Sequence, residues 1–154
     1  MTSVLIHDWC GYSATRTSRI SVIAIDALQP RPVADFWAAV LGWRIVEEST
    51  DGSISIAPAD NVWPATDVLR VPEHKTVKNR LHLDLRADGS TAAAEVDRLL
   101  ALGARHVNVG QGPGATWTVL ADPEGNEFCV LSRSVQDVTG TGHDRPEQDG
   151  TDSL

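Results

Sequence analysis

The sequence predicts an α+β fold made of two βαβββ modules, and three observations carry that prediction. Leu41-Gly42-Trp43-Arg44-Ile45-Val46 returns sixty-one residues later as Leu102-Gly103-Ala104-Arg105-His106-Val107. Each copy closes a helix-like run and opens a strand-like one. Each helix is also preceded by a strand-like stretch, at residues 20–25 and 81–85. A period of this length that occurs only twice is too long for common solenoid units. It argues for a duplicated module rather than an array.

The elements follow in order. Residues 1–18 show no sustained period and read as an N-terminal extension, with Trp9 and Tyr12 the side chains that would order it. The domain is expected over residues 19–134, with modules at about 19–72 and 79–134. Residues 20–25 are rich in β-branched side chains and open module one as a strand. Pro30 and Pro32 suit a loop and a first helical turn. Residues 33–41 follow as a helix with Phe36, Val40 and Leu41 as its apolar stripe and Gly42 as its stop. Strands are expected at 43–48, at 53–57 after an Asp51-Gly52 hairpin signal, and at 67–71. Residues 72–79, with Lys75 and Lys78, link the halves.

Module two opens on Leu81-His82-Leu83-Asp84-Leu85, a strict alternation that puts three leucines on a buried face and His82, Asp84 and Arg86 on the other. Ser90 or Thr91 caps the next helix, with Glu95 placed for a capping box and Val96, Leu99, Leu100 and Leu102 as the buried face. Strands follow at 105–109, 116–121 and 127–131. The loop of Gly110, Gly112, Pro113 and Gly114 lacks the lysine and hydroxyl residue of a phosphate loop and opens no helix. Asp122-Pro123-Glu124-Gly125 carries the signature of a type I turn. The tail, residues 135–154, is polar from Gln136 onward and is expected to be disordered.

Composition narrows the function. The chain of 154 residues carries a net charge of −8, of which Asp144, Glu147, Asp149 and Asp152 against Arg145 account for −3. The absence of a basic stripe argues against nucleic-acid binding, and the longest apolar run is too short to span a bilayer. No secretory signal precedes the first strand, and two cysteines, Cys10 and Cys129, are too few for a disulfide framework. A cytoplasmic protein is expected.

Three words of the sequence resemble a known family: Phe36-Trp37 ahead of Leu41-Gly42-Trp43; Asn79-Arg80-Leu81-His82-Leu83-Asp84-Leu85; and Asp122-Pro123-Glu124-Gly125-Asn126-Glu127-Phe128. With two βαβββ modules, they resemble the vicinal-oxygen-chelate superfamily of glyoxalases, bleomycin-resistance proteins and extradiol dioxygenases. The actinobacterial glyoxalase-like branch is the most similar, and the match covers roughly residues 20–132. The resemblance implies a curved mixed sheet around a cleft, with metal ligands from the first and last strand of each module. Carried over, these positions give His82 and Cys129 in module two. In module one they give Val22 (or Ser21) and a last strand, Val68-Leu69-Arg70, without a central carboxylate. A conventional four-ligand metal site is therefore not expected. His82 is the candidate metal ligand, a divalent metal stays open, and no other cofactor is expected.

His82 and Asp84 are the candidate catalytic pair, since an imidazole beside a carboxylate carries protons near neutral pH; a solvated polar face is the alternative. Trp117, Glu127, Cys129, Trp63 and Arg80 are the candidate ligand-binding residues. Four of the five have a bland counterpart: packing for Trp117, a strand end for Glu127, a small buried hydrophobe for Cys129, and a solvated linker charge for Arg80. Trp37 and Trp43 are assigned to the core. The expected function is binding of a small organic ligand in the cleft, with a homodimer left open. Two alternatives stand beside it: an enzyme of lyase, isomerase or dioxygenase type, distinct from metal-dependent glyoxalase I, and a non-catalytic interaction module.

Overall fold

The structure, a computed structural model, describes residues 19–112 and 114–140. Module one runs β1 (Val22–Ala27), α1 (Pro30–Leu41), β2 (Arg44–Glu48), β3 (Ile54–Ala57) and β4 (Ala65–Arg70). Module two repeats the order as β5 (Asp84–Leu85), α2 (Ala92–Ala101), β6 (Arg105–His106), β7 (Trp117–Ala121) and β8 (Glu127–Leu131). Each module forms one mixed four-stranded sheet, in the orders β1-β4-β3-β2 and β5-β8-β7-β6. In both, the first strand pairs parallel with the last and the other pairings are antiparallel. The α+β class and the duplication stand as predicted.

α1 begins on Pro30, where a missing N–H costs nothing, and ends at Gly42, whose φ of 65° suits a residue without Cβ. Its buried face is Val33, Ala34, Phe36 and Trp37, while Val40 and Leu41 are only half-buried. Thr91 caps α2 by accepting from Ala94 N. The expected capping box does not form: Glu95 lies one position too far along and pairs with Arg98 instead. Leu102, expected in the buried face, is 37% exposed, because it is the residue that ends the helix.

One apolar core serves both modules. Val33, Phe36 and Trp37 of α1 meet Ile56 and Val68 on one side and Leu99, Leu120, Phe128 and Val130 on the other. Phe128 lies with its ring centroid 5.1 Å from that of Trp37 and 6.0 Å from that of Phe36. Burying several such side chains, each contributing about 1.5–3 kcal/mol, binds the halves into one unit.

Three further expectations change. The alternating strand at 81–85 is hydrogen-bonded as a strand only at Asp84–Leu85, with Leu83 O adding a bond to Cys129 N. Leu83 and Leu85 pack against the core, but Leu81 is 79% exposed, since it lies beyond the paired part of this edge strand. Beyond β8, the tail does not lose structure at Gln136: α3 (Val135–Thr139) forms there, with Ser134 and Asp137 in a reciprocal capping box. The extension at 1–18, including Trp9, Cys10 and Tyr12, and residues 141–154 lie outside the described residues.

Candidate functional site

Period-two alternation builds the site. On β5 and the stretch before it, Leu83 and Leu85 turn to the core, so His82 and Asp84 turn away. On β8, Phe128 and Val130 are buried, which sends Glu127, Cys129 and Leu131 to the opposite face. On β7, Trp117 and Val119 join them. These side chains line a cavity of about 460 Å³ that also takes in Lys78 and the loop residues Val109, Gly110 and Gln111. That loop is tied by its own side chains: Gln111 accepts from Val109 N, and Asn108 accepts from Gly110 N.

At one end of the cavity three donor groups converge. His82 Nδ1 lies 3.3 Å from Asp84 Oδ1 and 3.7 Å from Cys129 Sγ. Strand register explains the grouping, because Asp84 and Cys129 are direct partners across the parallel pair. Burial, and then the Asp84 carboxylate beside it, pushes the Cys129 thiol up to about 11. The thiol is therefore protonated near neutral pH and is a poor nucleophile as it stands.

Glu127 lines the cavity but has its own partners. Its carboxylate accepts from Lys75 Nζ at 2.9 Å and from Asn79 N at 3.1 Å. Burial raises its pKa, but these two donors outweigh that effect and hold it below the usual carboxylate range. This ionised Glu127 moors the inter-module linker to β8.

Of the sequence candidates, His82, Asp84, Trp117, Glu127 and Cys129 come together around this cavity. Trp63 and Arg80 do not. Trp63 sits in the loop between β3 and β4, 58% exposed, with the Arg19 guanidinium 5.7 Å from its ring centre. Arg80 belongs to a separate depression along the linker, with Glu73, His74 and Lys75. Lys78, read from the sequence mainly as a linker charge, lines the cavity, as do Val119, Leu131, Val109 and Gln111. Alternation from Trp117 and from Cys129 points directly to Val119 and Leu131, whereas nothing local marks Gln111.

Module one corrects one position. Ala24 pairs with Asp67 as Asp84 pairs with Cys129, and Val68 is buried as Val130 is. The centre of β4 is thus Asp67, a carboxylate that the sequence reading placed outside the strand's middle. Asp67 accepts from Ser55 Oγ at 2.6 Å and does not line the module-two cavity. The four positions implied for a hard divalent metal are therefore Val22, Asp67, His82 and Cys129. Val22 offers no donor, Cys129 offers sulfur, and Asp67 is held elsewhere. This set does not fit the conventional centre. Among the described residues, His82, Asp84 and Cys129 are the metal-ligating side chains close enough to share an ion, with donor atoms within 4.8 Å of one another.

Similar proteins agree with this architecture. TnmS3, an antibiotic-binding protein from Streptomyces sp. CB03234, is similar with TM-score 0.54 and 17% identity over 79% of this chain and 100% of that one. The trypanothione-dependent glyoxalase I of Leishmania major has TM-score 0.60 and 10% identity over 81% of this chain and 92% of that one. A mutant of the fosfomycin resistance protein FosX from Listeria monocytogenes, in complex with manganese(II) and a dihydroxypropylphosphonic acid, has TM-score 0.58 and 9% identity over 84% of this chain and 100% of that one. At these identities the likeness is one of fold. No curated protein matches. The model of the glyoxalase-like domain family matches residues 22–131, most of the chain. On that match, the chain belongs to the glyoxalase-like domain family.

Proposed function

We propose that this protein binds a small, largely apolar or aromatic organic molecule in the module-two cavity, without the two-module metal centre. One observation carries the reading. A cavity of about 460 Å³, walled by Trp117, Val119, Val109 and Leu131, holds a small polar group, His82 and Asp84, at one end. Ligand pockets combine those features: apolar walls for affinity and a few polar groups for orientation, in a volume of about 300–1,000 Å³. Trp117 supplies a rigid ring for stacking. His82 and Asp84 supply hydrogen bonds, and Lys78 adds a positive charge at the wall. The antibiotic-binding neighbour supports binding without turnover. A free, buried Cys129 suits a reducing compartment such as the cytoplasm.

The test is a thermal-shift screen of planar aromatic compounds on metal-stripped protein, followed by titration of the hits. Saturable binding is expected, with Trp117→Ala weakening it about tenfold or more. A panel without binders, or hits that bind Trp117→Ala and wild type equally, would overturn the assignment.

A second reading, an enzyme acting on a small organic substrate, has one observation in its favour. Asp84 lies within 3.3 Å of His82 Nδ1. A carboxylate so placed fixes the tautomer and leaves Nε2 as the basic nitrogen. Recovery of a chemically altered ligand, lost in His82→Ala, would favour this reading over simple binding.

A further inference from the structure

We infer that His82, Asp84 and Cys129 form a one-module binding site for a thiophilic divalent ion such as Zn²⁺. Donor chemistry favours such an ion. An imidazole nitrogen, a carboxylate oxygen and a sulfur suit zinc, whereas hard ions such as manganese and magnesium prefer oxygen. The site therefore departs from a hard-metal centre in two ways: it draws on one module, and it replaces a carboxylate with a thiol.

Geometry then supports the same ion. Zinc bonds of about 2.0–2.1 Å to nitrogen and oxygen and about 2.3 Å to sulfur, at tetrahedral angles, require donor separations of about 3.4 Å for N···O and about 3.6 Å for N···S. The structure has 3.3 Å from His82 Nδ1 to Asp84 Oδ1 and 3.7 Å to Cys129 Sγ. All three donor atoms lie within 4.8 Å, so a modest closure of the remaining pair completes the triangle.

The backbone fixes two of the three ligands. Asp84 and Cys129 are register partners in a parallel pair, and His82 sits two residues before Asp84 on the same face. Parallel pairing thus presets the site before any ion arrives. Three protein ligands leave a fourth tetrahedral position for water or for a bound molecule. Binding of the ion to these side chains needs no organic ligand, so the inference stands or falls apart from the pocket's occupant.

Lys78 is the opposing element: it lines the same cavity and its charge disfavours a cation there. Lys75 is neutralised by Glu127. Lys78→Ala should therefore strengthen zinc binding.

Cobalt(II) gives the most direct test, with the ion alone added to the full chain after chelator treatment. The expected result is an intense near-ultraviolet absorption from thiolate-to-cobalt charge transfer, abolished by one equivalent of zinc and unaffected by a roughly 100-fold excess of manganese. Cys129→Ser should remove that band. His82→Ala and Asp84→Asn, at exposed positions that leave folding intact, should each weaken zinc binding about tenfold or more. No band in the wild-type protein would overturn the proposal. So would a band that survives Cys129→Ser, since it would assign the sulfur to Cys10. Zinc affinity unchanged in His82→Ala and Asp84→Asn would overturn it as well. Organic ligands that bind metal-stripped protein while cobalt gives no band would sink this site and leave the pocket reading untouched.

Discussion

Asp122 shows how much one side chain can do beyond its local signal. Its place in Asp-Pro-Glu-Gly marks a turn, and the turn is present, with Gly125 N bonded to Asp122 O. The carboxylate is fully buried and also accepts from Trp37 Nε1 at 3.2 Å, from the amides of Glu124 and Asn126, and from Asn126 Nδ2. Removing it leaves several buried donors without a partner. Asp122→Ala should cost about 3 kcal/mol and Trp37→Phe only about 1 kcal/mol in urea unfolding, because the phenylalanine removes its own donor. Equal losses would refute that asymmetry. Cys129 gives a second prediction at this scale. Its pKa, pushed from 9.0 to about 11, leaves it largely protonated at pH 8. A shift of about two units cuts the thiolate fraction about 100-fold. In metal-free protein, alkylation of Cys129 should be slower than that of an unfolded control by at least this factor, and Asp84→Asn should recover part of it. A rate matching the control would contradict the burial and charge argument.

Among the elements, α1 depends most on its neighbours. Gln29 at its start provides no side-chain cap. Glu124 of module two reaches across instead, accepting from Leu28 N at 2.8 Å and Gln29 N at 2.7 Å. At the other end, Arg98 of α2 donates to Ala39 O and Val40 O, both at 3.1 Å. An anion at the start and a cation at the end both complement the helix dipole. Glu124→Ala should therefore lower stability by about 1–2 kcal/mol, more than a typical surface change, and calorimetry would measure it. The short α3 belongs to the same scale. Asp137 accepts from Ser134 N and the Ser134 hydroxyl accepts from Asp137 N, which holds Asp137 below its ordinary value of 3.8. A lowered folded-state pKa contributes stability above the unfolded value, and this is lost as pH falls through the folded value. Amide exchange at Ser134 should therefore accelerate below about pH 4, while that of the β7–β8 core stays slow. Uniform acceleration would show that the cap is not the cause. Gln136 also bridges Gly89 N and Asp88 Oδ1. Truncation before Gln136 should lower the melting temperature by a few degrees, where a disordered tail would leave it unchanged.

For the whole molecule, the arrangement of modules predicts what the protein does not do. Isomerising the methylglyoxal–glutathione hemithioacetal requires a metal that polarises adjacent oxygens and a carboxylate that moves a proton. Module one offers Val22 and an Asp67 bonded to Ser55, away from the cavity. Module two offers Asp84 and a Glu127 occupied by Lys75 and Asn79. Assays with zinc, nickel and cobalt in turn should show no enzymatic turnover. Robust turnover lost in His82→Ala would reverse this conclusion.

The sequence by itself determined the duplication, the α+β class and the two faces of the stretch that holds Leu83, Asp84 and Leu85. Those properties follow from local periodicity and from stop and turn residues, all of which act within a few positions. It also placed His82 and Asp84 opposite the leucines, since alternation needs no knowledge of neighbours. Tertiary structure decided the rest. Leu81 is exposed because pairing at that sheet edge starts only near Leu83. Trp63 and Arg80 lie outside the cavity, Trp63 beside the Arg19 guanidinium and Arg80 in the depression along the linker. Glu127 becomes a mooring because Lys75, fifty-two residues away, arrives beside it. Convergence of an imidazole, a carboxylate and a thiol depends on the register of a parallel pair, a long-range choice made by how the whole core packs.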